Sequence, residues 1–501
     1  MLEALLQGLV LVLQWKALAF MLLGILLGFW VGLLPGLGGA TTLALMLPFI
    51  YTMQPVEAFA FLLGMHSVTA TTGDITSVLF GVPGEAASAA TVLDGYAMAK
   101  KGEAGRALGA ALASSLVGAL VGAVALALAI PIVRPLVLTF GSPELFMLAL
   151  VGIAFIAALS APGGRGMLRG FLAGALGLFL GTIGQDPQAG VARYALGTLY
   201  LWQGLDLVPV LVGLFAIPEI IDLVVRGTSI AGAAPAGKLS RGALEGVKDT
   251  FRHFWLTIRC SLIGTFIGIL PGMGGAVAQW MAYGHATQSA RTAEERRGFG
   301  QGDVRGVLGP GAANNSKEGG ALIPTIAFGV PGSTAMAILL GGFFLLGLVP
   351  GPDMLSKHLA VTFSMVWTIV IANVITVIAC FALLNKLAQL TTVRGSLLIP
   401  VILVLVFIGS FTSNNHYGDL VVTLVFGAVG YLMVLSGWPR APLVLGLVVG
   451  KIAENNLYIS VARYEAAWLT RPVVLVLIAI TVGVIVYPLF QARRRAATAR
   501  A

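Results

Sequence analysis

Two short polar stretches interrupt an otherwise apolar sequence, from His66 to Asp74 and from Asn314 to Gly320. Hydroxyl and amide groups can hydrogen-bond a carboxylate or coordinate Na⁺. Such groups are costly inside a membrane unless they do work of this kind. The two stretches therefore predict a binding site for a small polar solute, and the structural alternative is a pair of polar linkers exposed at the membrane surface.

The first stretch also contains a candidate cation site. Thr72 and Thr76 offer hard oxygen ligands close in sequence to Asp74. We predict that these three residues hold a coupling ion such as Na⁺, although they match no firm metal motif. Further charged candidates for pairing between the stretches are Glu85, Lys317 and Glu318. His66 is interpreted as a satisfied interior histidine and Asp94 as a packing or loop residue.

Four Pro-Gly pairs are expected to break apolar helices, because proline lacks an N–H donor and glycine tolerates unusual backbone angles. The pairs are Pro35-Gly36, Pro83-Gly84, Pro271-Gly272 and Pro331-Gly332. A break at membrane depth is tolerated only inside protein or beside a wet cavity. The free N–H groups of a helix start can then bind an anion, and free carbonyls can hold a cation. The alternative is a set of kinks that serve packing.

We therefore predict that a substrate binds to these helix ends and to the two polar stretches. The predicted substrate-binding residues are Gly36, Gly38, Gly39, Ser67, Thr71, Pro83, Gly84, Gly272, Gly274, Gly275, Asn314, Asn315, Ser316, Pro331 and Gly332. No catalytic residue and no cofactor are predicted, because the sequence contains no HExxH, CxxC, GxSxG or P-loop motif. An intramembrane enzyme would have only Asp74 and Glu85 as a candidate acid pair.

The composition places the chain in a lipid bilayer. Of its 501 residues, 58% are hydrophobic and only 10% are charged, whereas soluble domains have about a quarter of their residues charged. The apolar stretches approach the length of a spanning helix, so we expect an all-α polytopic membrane protein with about ten to twelve transmembrane helices. The net charge of +9 fits basic cytoplasmic loops better than nucleic-acid binding.

The chain contains an internal repeat. GLLPGLGGA at Gly32–Ala40 recurs as GILPGMGGA at Gly268–Ala276, and FGVPG at Phe80–Gly84 recurs at Phe328–Gly332. Such repeats are typical of secondary transporters. Basic residues follow the first motif only in the second copy and follow the second motif mainly in the first copy, which predicts two inverted halves.

This pattern predicts four parts of the chain, and the boundaries follow the basic segments. They are a first inverted repeat at 1–226, a cytoplasmic linker at 227–253, a second inverted repeat at 254–455, and an appended last helix with a basic cytoplasmic tail at 456–501. The inverted halves would contain broken helices or hairpins at the Pro-Gly pairs.

The doubled LPGxGG and FGVPG motifs are joined by two further segments, Thr91–Tyr96 with the following Lys100-Lys101-Gly102, and Gly309–Ser316. Together they make the sequence resemble the large membrane subunit of the tripartite tricarboxylate transporters, the TctA-like family, over nearly the whole chain. The resemblance implies cation-coupled import of small tricarboxylates or dicarboxylates across the bacterial inner membrane, with Na⁺ or H⁺ as the coupling ion. It also implies two partners, a periplasmic substrate-binding protein and a small TctB-like membrane subunit.

One departure from the family concerns the substrate. Members similar to the citrate carriers tend to have Asn where this chain has Gly81, so the resemblance supports the carboxylate class rather than citrate itself. A channel or a membrane scaffold subunit without active transport is the alternative function. A homodimer stays open at the level of the sequence.

Overall fold

The computed structural model describes residues 1–32, 38–159, 164–186, 188–226, 239–390 and 399–498. These residues are almost entirely helical, and the only strands among them are β1 (Gly184–Gln185) and β2 (Ala192–Arg193), which pair antiparallel. The first helices are α1 (Leu2–Leu13), α2 (Trp15–Gly32), α3 (Gly39–Met46), α4 (Pro55–Phe80), α5 (Ala89–Lys100), α6 (Ala104–Val137), α7 (Ser142–Leu159), α8 (Gly164–Gly181) and α9 (Leu207–Arg226).

The second part of the chain repeats this order with a short inserted helix, α13, and an additional last helix, α20. Its helices are α10 (Leu239–Arg252), α11 (Phe254–Ile269), α12 (Gly274–Gln288), α13 (Ala293–Gly298), α14 (Arg305–Phe328), α15 (Thr334–Leu345), α16 (Leu359–Leu390), α17 (Ile399–Asn414), α18 (Tyr417–Leu435), α19 (Arg440–Tyr464) and α20 (Pro472–Thr498). The helix α10 occupies most of the predicted linker and packs against α6. The predicted part boundaries stay a prediction.

Five of the described helices are long and apolar enough to cross a membrane. They lie at Trp15–Gly32, Ala104–Val137, Leu359–Lys386, Tyr417–Leu435 and Arg440–Tyr464, and they are accompanied by shorter apolar helices of 10–17 residues. The predicted all-α polytopic fold is therefore confirmed. The predicted number of about ten to twelve spans rests on the lengths of apolar segments and stays a prediction.

The long helices α4 and α14 end at the two FGVPG motifs. Each is followed by a glycine in the left-handed conformation, Gly81 with φ 68° and Gly329 with φ 67°. A left-handed residue after the last turn stops a helix, and glycine adopts this conformation without steric strain. The repeated motif therefore has the same local function in both halves, which is to end a buried helix and turn the chain.

These two equivalent helices run in opposite directions where they meet. His66 of α4 lies beside Glu318 of α14, and Asp74, two turns further along α4, lies beside Asn314. The neighbouring helices are also exchanged between the halves. The helix α6 of the first half packs along α14 of the second, and α16 of the second half packs along α4 of the first. This arrangement is the one expected when the second half is inserted upside down relative to the first.

Small residues let the surrounding helices approach the two central helices closely. On α2, Gly24, Gly28 and Gly32 recur every four residues and face the backbone of α4. On α11, Gly264 and Gly268 face α14 in the same way. In a membrane, glycines at this spacing allow tight helix packing without help from the hydrophobic effect. Close helix packing accounts for these glycines.

The substitution Gly28→Leu tests this packing. A Cβ at Gly28 would lie 2.6 Å from the carbonyl oxygen of Met65, so we expect the larger side chain to push α2 from α4 and to lower the free energy of unfolding by about 1–3 kcal/mol. Thermal unfolding of the purified protein in detergent measures the effect. Gly483→Leu is the control, because no atom lies within 4 Å of a Cβ at that position, and equal loss in both variants would contradict the packing argument.

Candidate functional site

The two predicted polar stretches lie inside the protein. Thr71 and Asp74 on α4 are 1% exposed, and Asn314 and Asn315 on α14 are 0% and 1% exposed. The alternative of polar linkers at the membrane surface is therefore wrong for these residues. Buried polar groups are costly unless they find partners, and most of the partners of these groups come from the opposite half of the chain.

Two asparagine side chains join α14 to its neighbours. The Asn314 amide Nδ2 donates to the Ala70 carbonyl oxygen at 2.8 Å and to Asp74 Oδ2 at 3.3 Å. The Asn315 amide Nδ2 donates to Thr71 Oγ1 at 2.8 Å and to Asn373 Oδ1 on α16 at 2.6 Å. An amide offers two donor hydrogens, so each nitrogen serves both partners. These bonds bring Thr71, Asn314 and Asn315 together, as predicted.

A charged group lies at the same crossing. His66 Nε2 of α4 is 3.0 Å from Glu318 Oε2 of α14, and the Lys317 ammonium group contacts the other oxygen of Glu318. His66 Nδ1 is buried and has no hydrogen-bond partner among the residues that the structure describes. His66 is therefore not the satisfied interior histidine that the sequence suggested. It contacts the one acidic group that also binds Lys317.

The helix start in the first half faces a carboxylate of the protein itself. The helix α3 begins at Gly39, after Gly38 at the N-cap, and the Gly39 amide donates to Glu85 Oε2 at 3.3 Å. A Cβ at Gly39 would lie 2.5 Å from His66 Nδ1, so only glycine lets the imidazole approach this backbone. The predicted residue Gly36 lies outside the described residues.

The helix start in the second half faces an ammonium group instead. Gly272 and Gly274 have φ values of 80° and 69° at the break between α11 and α12, and the Gly272 amide donates to the Gly332 carbonyl oxygen at 3.2 Å. A Cβ at Gly275 would lie 2.9 Å from Lys317 Nζ. The two predicted anion sites therefore differ, since one holds a carboxylate and the other is covered by a lysine.

The turns at the two FGVPG motifs pack tightly against neighbouring backbone. The Gly84 amide donates to the Gly73 carbonyl oxygen at 3.3 Å, and a Cβ at Gly84 would lie 2.5 Å from Gly73 Cα. The Gly332 backbone is equally close to Gly268 of α11. Ala87, after the first turn, faces Gly275 of the second half. The turns that begin at Pro83 and Pro331 thus bring the described breaks of both halves together.

The crossing of α4 and α14, with the adjoining starts of α3 and α12, is called the centre. Three predicted residues do not point into it. The Thr72 hydroxyl donates to the Val68 carbonyl oxygen at 2.8 Å and faces α2, and the Thr76 hydroxyl donates to the Gly73 carbonyl oxygen at 3.0 Å and faces the Gly84 turn. Residues two positions apart on a helix do not share a face, so neither threonine is grouped with Asp74. Ser316 faces α11, where it lies against Gly264.

The buried polar residue Ser67 contributes its backbone to the site, because its carbonyl oxygen accepts the Thr71 hydroxyl at 3.0 Å. Sequence reasoning left His66, Glu85, Lys317 and Glu318 out of the binding set. Glu85, Lys317 and Glu318 were named only as candidates for charge pairing, although a charge in a strongly apolar sequence marks a functional group in a membrane protein.

Comparison with known proteins identifies one family. The model described as "Tripartite tricarboxylate transporter TctA family" matches residues 18–445. The chain is 32% identical to an uncharacterized 52.8 kDa protein in the TAR-I ttuC' 3' region of Agrobacterium vitis, over 94% of this chain and 93% of that protein. It is also 31% identical to an uncharacterized protein in the TAR-II ttuC' 3' region of the same organism, over 42% of this chain and 87% of that protein. No solved structure matches the chain.

The buried charges predict a specific effect of removing one partner. Lys317→Met leaves Glu318 with a weaker set of partners in a buried position, and breaking such a pair destabilises a protein by about 3–5 kcal/mol. We expect the double variant Lys317→Met/Glu318→Gln to recover much of that loss, because it leaves no unpaired buried carboxylate. The midpoint of thermal unfolding in detergent measures both variants.

The matched control is the exposed pair of Lys357 and Asp353, whose nitrogen and oxygen atoms are 3.1 Å apart. Lys357→Met should change the free energy of unfolding by at most about 1 kcal/mol, since exposed pairs contribute little. Equal destabilisation by Lys317→Met and the double variant would mean that packing of the lysine stem, rather than charge pairing, stabilises this region.

Proposed function

The chain belongs to the tripartite tricarboxylate transporter TctA family, and on that premise we propose that it forms the membrane pathway through which small carboxylates are imported together with a cation. The family implies transport rather than catalysis, and it implies a substrate-binding protein and a small membrane subunit as partners. The multi-pass helical fold agrees with a membrane subunit. The substrate class, the coupling and the mechanism are the content of the proposal.

The contact that carries the proposal is the bond from the Gly39 amide to the Glu85 carboxylate at 3.3 Å. It supports the idea that a helix start in this centre binds a carboxyl group, because the partial positive charge and free N–H groups of a helix N-terminus favour anions. A substrate carboxylate would bind here in place of Glu85 or beside Lys317 at the start of α12. Thr71, Asn314 and Asn315 would hydrogen-bond its remaining oxygens by exchanging the bonds that their donors make within the protein.

Charge balance favours a cation that travels with the substrate. The centre contains the carboxylates of Asp74, Glu85 and Glu318 and the ammonium group of Lys317. Three acidic side chains therefore face one ammonium group before an anionic substrate arrives. Uncompensated charge is expensive in a medium of low dielectric constant. A co-bound cation offsets the added negative charge, which is the physical reason for symport in this proposal.

Alternating access follows from the relation between the two halves. The crossed helices α4 and α14, together with the starts of α3 and α12, would move as one body against the outer helices and open the centre to each side in turn. A periplasmic binding protein would deliver the carboxylate to a protein located in the bacterial inner membrane. Selection among carboxylates would then occur largely before the substrate reaches this chain.

Reconstitution tests the proposal directly. The chain and its small membrane subunit are placed in proteoliposomes, and the cognate binding protein loaded with a radiolabelled dicarboxylate or tricarboxylate is added outside. We expect accumulation above the outside concentration when an inward Na⁺ or proton gradient is imposed, and none without it. Equilibration without accumulation would identify a channel, and no movement at all would identify a scaffold subunit.

The tight turns at Gly84 and Gly332 give a second prediction. Gly84→Val and Gly332→Val should lose nearly all uptake while the protein is still inserted, because a side chain at either position overlaps the neighbouring backbone and moves the helix starts. Uptake by proteoliposomes with equal amounts of folded protein is the measurement. Gly483→Val, in open surroundings on α20, should transport normally, and normal uptake by the first two variants would defeat the assignment.

A further inference from the structure

Four buried side chains near the crossing have polar atoms without a hydrogen-bond partner in the described part of the chain. The atoms are Asp74 Oδ1, Thr91 Oγ1, Asn314 Oδ1, and both Oε1 and Nε2 of Gln279. Each of these residues is at most 1% exposed. Nearly all buried polar atoms in proteins are satisfied, and an unsatisfied one is costly. Several together mark a place where a ligand supplies the missing interactions.

Three of these side chains are direct neighbours. Asn314 Nδ2 lies 3.3 Å from Asp74 Oδ2, whereas Asp74 Oδ1 and Asn314 Oδ1 have no hydrogen-bond partner among the described residues. The Thr91 side chain on α5 interacts with the same Asp74 carboxylate, although its hydroxyl oxygen completes no hydrogen bond. A carboxylate, an amide and a hydroxyl group from three different helices therefore meet at one point.

The fourth side chain is placed by contacts on either side of it. The chain from Ala87, just before α5, to Asp94 on α5 runs beside α12 in the same direction. Gly275 faces Ala87, and the Tyr283 hydroxyl donates to Asp94 Oδ2 at 3.0 Å. Gln279 lies midway between these two contacts on α12. Residues four apart on a helix share a face, so Gln279 faces α5 as its neighbours do.

Thr91 lies about midway between Ala87 and Asp94, the residues that make these two contacts opposite α12. Interpolation between the two contacts places Gln279 at the level of Thr91, and its side chain is fully buried there. The four side chains come from α4 and α5 of the first half and from α12 and α14 of the second half. Whatever binds them contacts both halves at once.

We propose that Asp74, Thr91, Asn314 and Gln279 form a Na⁺ site, which rests on the proposed function because it would be the coupling site of the symport. All four offer oxygen atoms, the ligands that hard cations prefer. Their single carboxylate balances one monovalent charge. No group of three His, Cys, Asp or Glu side chains suited to a metal ion occurs in the described ranges, which disfavours a divalent or transition metal here.

The number of orphaned oxygens distinguishes a metal cation from a proton. A proton on Asp74 would satisfy its own oxygen and one neighbouring acceptor, and would leave the remaining oxygens unsatisfied. A cation with several ligands binds the oxygens of all four side chains, and of these atoms only the Gln279 Nε2 donor then still needs an acceptor. Other charged groups that act on Asp74 are Glu85 and Lys317, and Lys317 is already paired with Glu318.

Binding is tested on the purified full chain in detergent, without carboxylate or binding protein. Na⁺ is titrated against choline at constant ionic strength, and the midpoint of thermal unfolding is recorded. We expect saturable stabilisation by Na⁺ and much less by K⁺. Thr91→Val and Gln279→Leu should each raise the half-saturating Na⁺ concentration about tenfold for the loss of one ligand. Asp74→Asn should abolish the stabilisation by Na⁺. Thr91→Ser keeps the hydroxyl group and should therefore titrate like the wild type, unlike Thr91→Val.

Thr368→Val is the matched control, because Thr368 is equally buried on α16 but its hydroxyl group donates to the Ser364 carbonyl oxygen at 2.8 Å. This variant should titrate like the wild type, and gel filtration confirms that each variant is folded. Several results would overturn the site. They are stabilisation by pH rather than by Na⁺, an equal response to K⁺, unchanged titration in Thr91→Val and Gln279→Leu, or a shift in Thr72→Val in their place.

The outcome separates this site from the proposed function. Na⁺ binding in the absence of substrate, combined with failure to transport carboxylates, would retain the site and refute the proposed substrate. Carboxylate accumulation in proteoliposomes without any Na⁺ binding would retain transport and refute the site.

Discussion

Two helices that carry polar and charged groups at the depth of a membrane must be shielded from lipid on every side, and this requirement organises the rest of the protein. All residues from Ala58 to Leu79 on α4 and from Gly306 to Ala327 on α14 are buried. In hydrocarbon, unsatisfied polar groups cost several kcal/mol each. The outer helices therefore cover the two central ones, and the glycines of α2 and α11 bring that cover close enough to exclude lipid.

The shielded centre is symmetric in its backbone and asymmetric in its charges. Glu85 of the first half corresponds to Ser333 of the second, and Thr69 corresponds to Lys317, in the register set by the FGVPG motifs. Glu85 faces the start of α3, whereas the Ser333 hydroxyl accepts a hydrogen bond from the Met336 amide at the start of α15. The duplicated scaffold thus keeps the turns and helix starts. The first half supplies acid to the centre, and the second half adds the ammonium group beside its own acid.

Features set by local chemistry could be predicted from the sequence. Proline and glycine act on the backbone where they stand, so the breaks at Pro83-Gly84, Pro271-Gly272 and Pro331-Gly332 were found without a structure. The membrane location follows from composition alone. The inverted relation of the halves was predicted from the positions of basic residues, because Lys and Arg in short loops determine how a segment is oriented in the membrane.

Partners across the fold could not be read in this way. Asp74 was grouped with Thr72 and Thr76 because they are near it in sequence, but a helix separates residues two positions apart by about half a turn. Its actual neighbours, Thr91 and Asn314, come from other helices and depend on how α4, α5 and α14 pack.

Gln279 had a weak local signal, since it is a single amide among small and apolar residues. Its position beside α5 follows only from the contacts that Gly275 and Tyr283 make, one turn before it and one turn after it on α12. The chemistry of the centre therefore emerges from the crossing of two inverted copies. Each copy alone contains an incomplete set of ligands, and the complete set exists only while α5 of one half lies against α12 of the other.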